Sequence, residues 1–287
     1  MRQDFAHLSS EGAALESGRS LRFRSTVEVI VVEGADAASF LQGQLTQDIE
    51  RIRDERSGWS FVLEPDGKFG FLVRVIFLSD DRFLVLGSGT HSEGLFARLE
   101  RFRFRVAVTL RRVSFTLCSG ALSPHEQSHA IDLCSLLPEV PEWLVPIADA
   151  DRDRESESSF LAAWALRRRQ IGPDDVEEGM NPYEVGAEVI ARSVSYTKGC
   201  YTGQELVARM DARGAQAPFR LCWLEIQGIP EDNDIRLGVD VVGEIVHLVV
   251  DSDAQVAYAS ARIKRTVETT DSLPCTAGGV PAFLSEF

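Results

Sequence analysis

The hydrophobic periodicity changes at Pro218, and that change limits the architecture more than any other feature of the sequence. Beyond it, apolar residues fall into short runs at 219–226, 235–242, 245–250 and 256–263, separated by Gly228, Pro230, Gly238, Gly243 and the acidic turn Asp251 to Asp253. Strands without an intervening helical period bury their apolar faces only by closing on one another, so residues 216–287 are expected to form a small antiparallel β-barrel or sandwich. Ahead of the break, strand and helix patterns alternate. Val27, Val29 and Val31 mark a strand over 21–32, and Ala37, Phe40, Leu41 and Leu45 form one face of a short helix that Asp36 can cap. Runs at 59–63, 69–78 and 83–86, with turns at Pro65, Asp66 and Gly67 and at Asp80 and Asp81, predict an antiparallel meander. Thr90 and Glu93 offer a capping box for a helix carrying Leu95, Phe96, Leu99 and Phe102 inward, followed by strands at 106–110 and 113–117. A chain of 287 residues is too long for one small core, so two or three domains are expected.

The middle of the chain joins these regions. Residues 149–158 mix both charge signs without a large apolar residue and read as a solvated connection. A helix follows over 159–170 with Leu161, Trp164 and Leu166, ending near Gly172 and Pro173; after Asn181, Pro182, Tyr183 and Glu184 a strand is expected. The net charge of −14 excludes a protein whose main work is gripping nucleic acid, because phosphate binding needs clustered Lys and Arg. The local runs Arg101, Arg103, Arg105 and Arg167 to Arg169 read as solvated arginines flanking buried elements. The start, MRQDFAHLSS, lacks the basic end and apolar run of a signal peptide, and no apolar stretch is long enough to span a bilayer, which points to the cytoplasm.

Five cysteines, Cys118, Cys134, Cys200, Cys222 and Cys275, are widely spread, and no pair has the spacing of a zinc or cluster-binding ribbon, so no resident metal is expected. Four of them read as small apolar fillers. His125 and His129 stand four apart, but Pro124 precedes them and no further ligand is apparent, so solvated loop histidines are the plainer reading.

The stretch Ser195 to Met210 packs a cation, a thiol, an aromatic ring, two glycines, an amide and a carboxylate together. Thr202 and Glu205 have the spacing of a capping box, so a helix is expected to begin there and to stop at Gly214, with Leu206, Val207 and Met210 as its apolar stripe and Glu205 and Arg209 as an ion pair four apart. Capping leaves Lys198, Gly199, Cys200 and Tyr201 unexplained. They set a thiol and a cation beside the positive end of that helix, where a thiolate or a ligand carboxylate is stabilised, less the opposing field of Glu205.

The run KGCYTGQE followed by LVAR closely resembles the signature of the YgfZ-type folate-binding proteins, relatives of the glycine-cleavage T-protein, an aminomethyltransferase; the piece GADAASFLQGQLTQDI is similar to that family's first helix and following turn. The resemblance implies an α+β protein in three domains forming a ring: a discontinuous folate-binding domain at 1–50 and 115–215, an α+β ferredoxin-like meander at 51–114, and a C-terminal antiparallel barrel at 216–287. It implies tetrahydrofolate or a derivative as cofactor, a functional Cys200, and contacts from Lys198, Gly199, Tyr201, Gly203, Gln204, Glu205 and Arg209. Alignment of 168–172 with the family's arginine-to-glycine pattern adds Arg168, whose planar fork suits a folate carboxylate. Gln44, Thr46, Gln47 and Asp48, polar groups at a helix end, are expected to face the cavity.

The transferases of this family carry a carboxylate after the turn whose counterpart here is Asp66, Gly67 and Lys68. Counting from Gly67, its place falls at about Leu72. The resemblance therefore implies an accessory protein, supporting assembly or repair of iron–sulfur enzymes, tRNA-modifying ones included, with Cys200 handling persulfide, iron or a redox step. Folate and iron–sulfur client proteins are the expected partners, without stable nucleic-acid or membrane binding. Two alternatives stand beside it: a folate-dependent aminomethyltransferase or demethylase, and a non-catalytic regulatory scaffold whose pocket is empty.

Overall fold

The computed structural model describes residues 2–16, 22–87, 92–120, 127–147, 160–213, 216–270 and 272–287. Thr90, Pro124, His125, the segment 149–158 and Gly214 lie outside them. Two seven-stranded sheets carry the fold. The first contains β2 (Arg22–Glu33), β3 (Ser57–Leu63), β4 (Phe69–Ser79), β5 (Arg82–Leu86), β6 (Thr109–Gly120), β7 (Ile131–Leu133) and β8 (Glu142–Pro146), in the order β3-β4-β5-β2-β6-β8-β7. The meander β3, β4 and β5 is antiparallel, as its turn chemistry predicts.

The second sheet contains β1 (Arg2–Phe5), β9 (Phe219–Ile226), β10 (Asp234–Leu237), β11 (Asp240–Asp251), β12 (Val256–Lys264), β13 (Leu273–Ala277) and β14 (Val280–Ser285). Pairing of β11 with β12 closes β9 to β14 into a six-stranded antiparallel barrel, and β1 adds to the outside of β11 in parallel. Strand alternation gives the barrel two useful faces. Cys222, Leu224 and Ile226 of β9 and Ala257, Ala259, Ala261 and Ile263 of β12 fill its interior. Leu221, Trp223 and Tyr258 point outward and join the main core with Phe61, Phe69, Trp164 and Tyr201. A bulge between Ile245 and His247 changes the phase of β11, so that Ile245 and Leu248 face inward while Val246 and Val249 face the main core.

The helices are α1 (Leu8–Glu16), α2 (Ala37–Gln44), α3 (Ile49–Glu55), α4 (Ser92–Phe102), α5 (Phe160–Arg167), α6 (Ala187–Ser193) and α7 (Gln204–Arg213). Sheet pairing crosses the expected domain limits: β2 lies between β5 and β6, β6 itself runs through 114 and 115, and β1 joins the barrel.

Four local expectations are corrected. Residues 106–117 do not make two strands but contribute to the single β6, because Arg111 and Arg112 are cross-strand rungs opposite Val31 and Ile30, paired with Glu33 (3.1 Å) and Glu28 (3.4 Å). Residues 235–242 do not make one strand but turn at Gly238, whose φ of +62° suits glycine, to form the β10–β11 hairpin. The segment after Asn181 is a 3-10 turn, Pro182–Val185, and then α6 rather than a strand. Asp36 precedes α2, but its carboxylate accepts the Ala107 amide (2.7 Å) instead of capping its own helix.

Candidate functional site: the Cys200 loop and its seat

The segment from Arg192 to Gly203 is laid against the turn between α2 and α3, element to element across more than 140 residues of sequence. Thr46 accepts the Ser195 amide through its carbonyl (3.0 Å) and donates its hydroxyl to the Ser193 carbonyl (2.7 Å). Gln47 donates from Nε2 to the Arg192 carbonyl (3.0 Å), and the Thr202 amide donates to the Gly43 carbonyl (2.9 Å). Gln44 accepts from buried Arg98 (3.1 Å), and Asp48 accepts the Glu50 amide (3.1 Å) at the start of α3. Gln44, Thr46, Gln47 and Asp48 are thus not cavity-facing as expected: interior polar groups must find partners, and here the partners are the protein's own backbone and side chains.

Lys198 is the centre of this seat. It is 8% exposed, and its ammonium donates to the carbonyls of Gln42 (2.7 Å), Leu45 (2.8 Å) and Gln47 (2.9 Å). All three N–H groups are spent on the backbone, which leaves none for a ligand carboxylate. Burial pushes the amine down to about 8 from its ordinary 10.5, against the opposing pull of Asp48. The Tyr201 ring lies 5.2 Å from the nitrogen, and burial pushes the Tyr201 phenol up.

On the other side the loop meets the β3–β4 turn. Gly203 (φ +81°) and Gly67 (φ +83°) interlock: a Cβ on Gly203 meets the Glu64 carbonyl oxygen at 2.7 Å and Gly67 Cα at 3.0 Å, and one on Gly67 meets the Gly203 oxygen at 2.9 Å. The expected capping box gives way to this contact. The hydroxyl of Thr202 turns to the Gly43 carbonyl (3.3 Å), α7 begins at Gln204, and Glu205 pairs forward with Arg209 (2.8 Å) on an exposed surface. Within α7, Val207 is buried and Leu206 and Met210 are half-buried, the stripe read from the sequence.

Between these two anchors Gly199 and Cys200 are exposed. Cys118, Cys222 and Cys275 are buried and Cys134 is half-buried, and burial pushes the thiols of Cys134, Cys222 and Cys275 up to about 11. Among the described residues no three His, Cys, Asp or Glu side chains converge to hold a metal ion. Nor is any helix among them long and apolar enough to cross a membrane.

A cavity of about 520 Å³ opens beside the loop, walled by Tyr183, Ile190, Tyr196 and Leu221 with Arg220 and Arg265 among its lining. Tyr196, 48% exposed, is the motif's contribution; its hydroxyl meets that of Tyr183 (3.0 Å), which also donates to the Val207 carbonyl (3.2 Å). None of the residues assigned from the motif, Lys198, Gly199, Cys200, Tyr201, Gly203, Gln204, Glu205 and Arg209, lines this cavity, and neither does Arg168. Arg168 is exposed and 3.8 Å from Glu139, while Arg167 lies over Trp164 and Tyr258 and Arg169 over Trp223, where the end of α5 meets the barrel. The cavity residues Tyr183, Glu184, Arg220 and Arg265 were not singled out from the sequence as a site. Glu184 closes a capping box with Asn181, a signal present in the sequence as their three-residue spacing, while also taking a bidentate bond from Arg262 of the barrel (2.6 and 3.0 Å).

Leu72, at which the count from Gly67 falls, is 1% exposed in the main core beside Phe61 and Phe69. Glu64 is taken up by Arg98 (3.1 Å) and Arg101 (2.7 Å), and Asp66 accepts the Lys68 amide of its own turn (3.0 Å).

No family model matches the chain. It is 27% identical over 199 residues to an uncharacterized protein of Haemophilus influenzae, covering 66% of this chain and 67% of that one. It is 25% identical over 252 residues to the tRNA-modifying protein YgfZ of Edwardsiella ictaluri, covering 73% of each, and 23% identical over 263 residues to that of Escherichia coli O157:H7, covering 78% and 79%. Among solved structures, the glycine cleavage system aminomethyltransferase T of Bartonella henselae is similar with a TM-score of 0.65 over 97% of this chain and 88% of that one. The identity there is 14%, a likeness of fold.

Proposed function

We propose, from the premise that the chain is a YgfZ-type relative with the fold of the glycine-cleavage aminomethyltransferase, that it is a cytoplasmic tetrahydrofolate-binding accessory protein. In this reading it supports the assembly or repair of iron–sulfur enzymes, including tRNA-modifying ones, through Cys200. The observation that carries it is the contrast at the motif: Lys198 before the thiol and Tyr201, Thr202 and Gly203 after it are tied down, yet Cys200 is the exposed member of five cysteines. A small core-filling residue has no reason to stand in water on so fixed a loop.

The residues present fit a folate. The cavity of about 520 Å³ falls within the range of small-molecule sites, its Tyr183, Tyr196, Ile190 and Leu221 suit a flat pterin, and Arg265 suits an anionic tail, whereas Arg220 is held by Glu286 (2.9 Å) and the Val267 carbonyl (2.6 Å). Gly199, Gln204, Glu205, Arg209 and Arg168 lie outside this cavity, so in this reading they meet only parts of the ligand that extend beyond it, while Lys198, Tyr201 and Gly203 shape the loop from beneath. Bound tetrahydrofolate supplies one-carbon chemistry; the chain's own part is to seat it and to present a thiol near it. A three-domain ring with a ferredoxin-like meander belongs to the same reading. The transferase alternative is disfavoured by Leu72, a buried aliphatic side chain at the place where a carboxylate would steer the reaction.

Two measurements test the proposal. Calorimetric titration with tetrahydrofolate should give saturable binding that weakens in Tyr196→Ala and Arg265→Ala; no heat with folded protein refutes folate binding. Cys200→Ala should keep folding and folate binding but fail to restore iron–sulfur enzyme activity in cells lacking the protein, and full rescue refutes the role of the thiol.

A further inference from the structure

This chain uses arginine as its ordinary cation: it has 27 arginines and three lysines, Lys68, Lys198 and Lys264. Lys68 and Lys264 are exposed. Lys198 is buried, with its nitrogen 2.7 to 2.9 Å from three backbone carbonyls. A guanidinium is planar and presents its donors in a fork, whereas an ammonium presents three protons on one small atom, so only lysine fits a socket where three carbonyls converge. Those carbonyls belong to Gln42 in the last turn of α2, to its C-cap Leu45, and to Gln47 in the turn before α3, where a helix end leaves carbonyls without amide partners.

We propose that Lys198 is the positioning residue of the Cys200 loop: its ammonium fills the three-carbonyl socket at the end of α2, holds residues 195–203 on it, and so fixes where the thiol stands. Cys200 is two residues away on a loop that also meets α2 and its following turn through the Ser195 amide on Thr46 and through the amide and hydroxyl of Thr202 on Gly43, one contact on each side of the lysine. Remove the ammonium and Cys200 is still followed by Tyr201 in the main core and by the Thr202 bond to Gly43, but nothing ties the segment between Ser195 and Cys200 to the turn. Burying a charge costs stability even when it is well bonded. A lysine kept for general packing would be replaced with advantage by an apolar chain, whereas a lysine kept for loop geometry accepts that cost. The inference deepens the Cys200 reading and rests on it only for the consequence at the thiol.

The test uses the full chain carrying a nitroxide on Cys200, with Lys198→Met and Lys198→Arg beside the unaltered loop. In Lys198→Met the nitroxide spectrum should narrow, and exchange of the Ser195 and Thr202 amides should rise at least about tenfold, while barrel amides and the thermal midpoint hold or improve. Lys198→Arg should not restore the broad spectrum, because its fork does not fill the socket. An unchanged spectrum and unchanged exchange in Lys198→Met overturn the proposal, as does full restoration by arginine or a loss of protection spread equally over the barrel. Should Lys198→Met fail to fold, acylation of the native protein decides: Lys198 is expected to react at least about tenfold more slowly than Lys68 and Lys264, and equal rates overturn the proposal. A Cys200→Ala variant that rescues cells would remove the thiol's role and leave all of these readings where they are, so the two failures are distinguishable.

Discussion

Gly203→Ala is the substitution that most directly tests how the loop is seated. Two costs add at this position. A left-handed φ of +81° disfavours a Cβ by about 1–2 kcal/mol. The new methyl also lands 2.7 Å from the Glu64 carbonyl oxygen and 2.9 Å from Leu63 Cβ, both on a turn anchored in the β3–β4 hairpin. Relief requires α7 to move off the turn, an overpacking cost of about 1–3 kcal/mol. The expected loss is therefore ~2–5 kcal/mol in urea unfolding, read as a lower midpoint at constant slope. Two other glycines separate the contributions. Gly179 has φ +87° with open space around its Cβ, so Gly179→Ala should show the backbone cost alone, about 1 kcal/mol. Gly199 has neither positive φ nor a close neighbour, so Gly199→Ala should be within about 0.5 kcal/mol of the parent. If Gly203→Ala falls no further than Gly179→Ala, the interlock with Gly67 contributes nothing and the seating described here is wrong.

Other perturbations read other parts of the molecule. Ellman's reagent should find one fast thiol per native chain and none in Cys200→Ala, with half-buried Cys134 slower and Cys118, Cys222 and Cys275 reacting only on unfolding; fast reaction at any of these last three would contradict their burial. Glu142→Ala should cost about 3–5 kcal/mol, because it strands the buried Arg74 guanidinium (2.7 Å away) and the Leu136 amide (2.8 Å); a loss below 1 kcal/mol, measured by urea unfolding, would refute a tight pair. Lys198 gives a pH signature. Its folded value is about 8, below the ordinary 10.5, so between those values the unfolded chain binds more protons and stability rises with pH. Against Lys198→Met, the parent should gain up to ~3 kcal/mol between pH 7.5 and 10.5, and a flat or falling difference would refute the burial of its charge.

What the sequence disclosed was whatever has a local cause. The β3–β4–β5 meander follows from short apolar runs with Pro65, Asp66 and Gly67 and Asp80 and Asp81 between them, and the barrel from strands without helices after Pro218. The misreadings arise where a partner distant in sequence decides. Arg111 and Arg112 fall between two apolar runs and look like a break in the strand until Val31 and Ile30 are set opposite them and Glu33 and Glu28 beside them. Gln44, Thr46 and Gln47 look like cavity residues until Arg98, Ser193 and Arg192 arrive to bond them. The β13–β14 hairpin turns on Gly278 and Gly279, both with positive φ, and its strands were too short and too mixed to register as apolar runs.

The same distinction sorts the motif itself. A run in which Lys198, Tyr201, Thr202 and Gly203 each meet a fixed neighbour has the chemistry of a folded joint, with backbone carbonyls, a ring and an opposing glycine as the partners. Such partners explain why those residue types are needed there, and they explain none of the need for a thiol at position 200. Gly199 and Cys200 are the motif positions between Lys198 and Tyr201 that the joint leaves in water. A rigid base under an exposed sulfur is what presentation to another molecule requires, since a loop ordered in advance loses less entropy on contact than one that must be ordered by it. The functional weight of the motif therefore falls on Cys200, and the surrounding residues act through the position they give it.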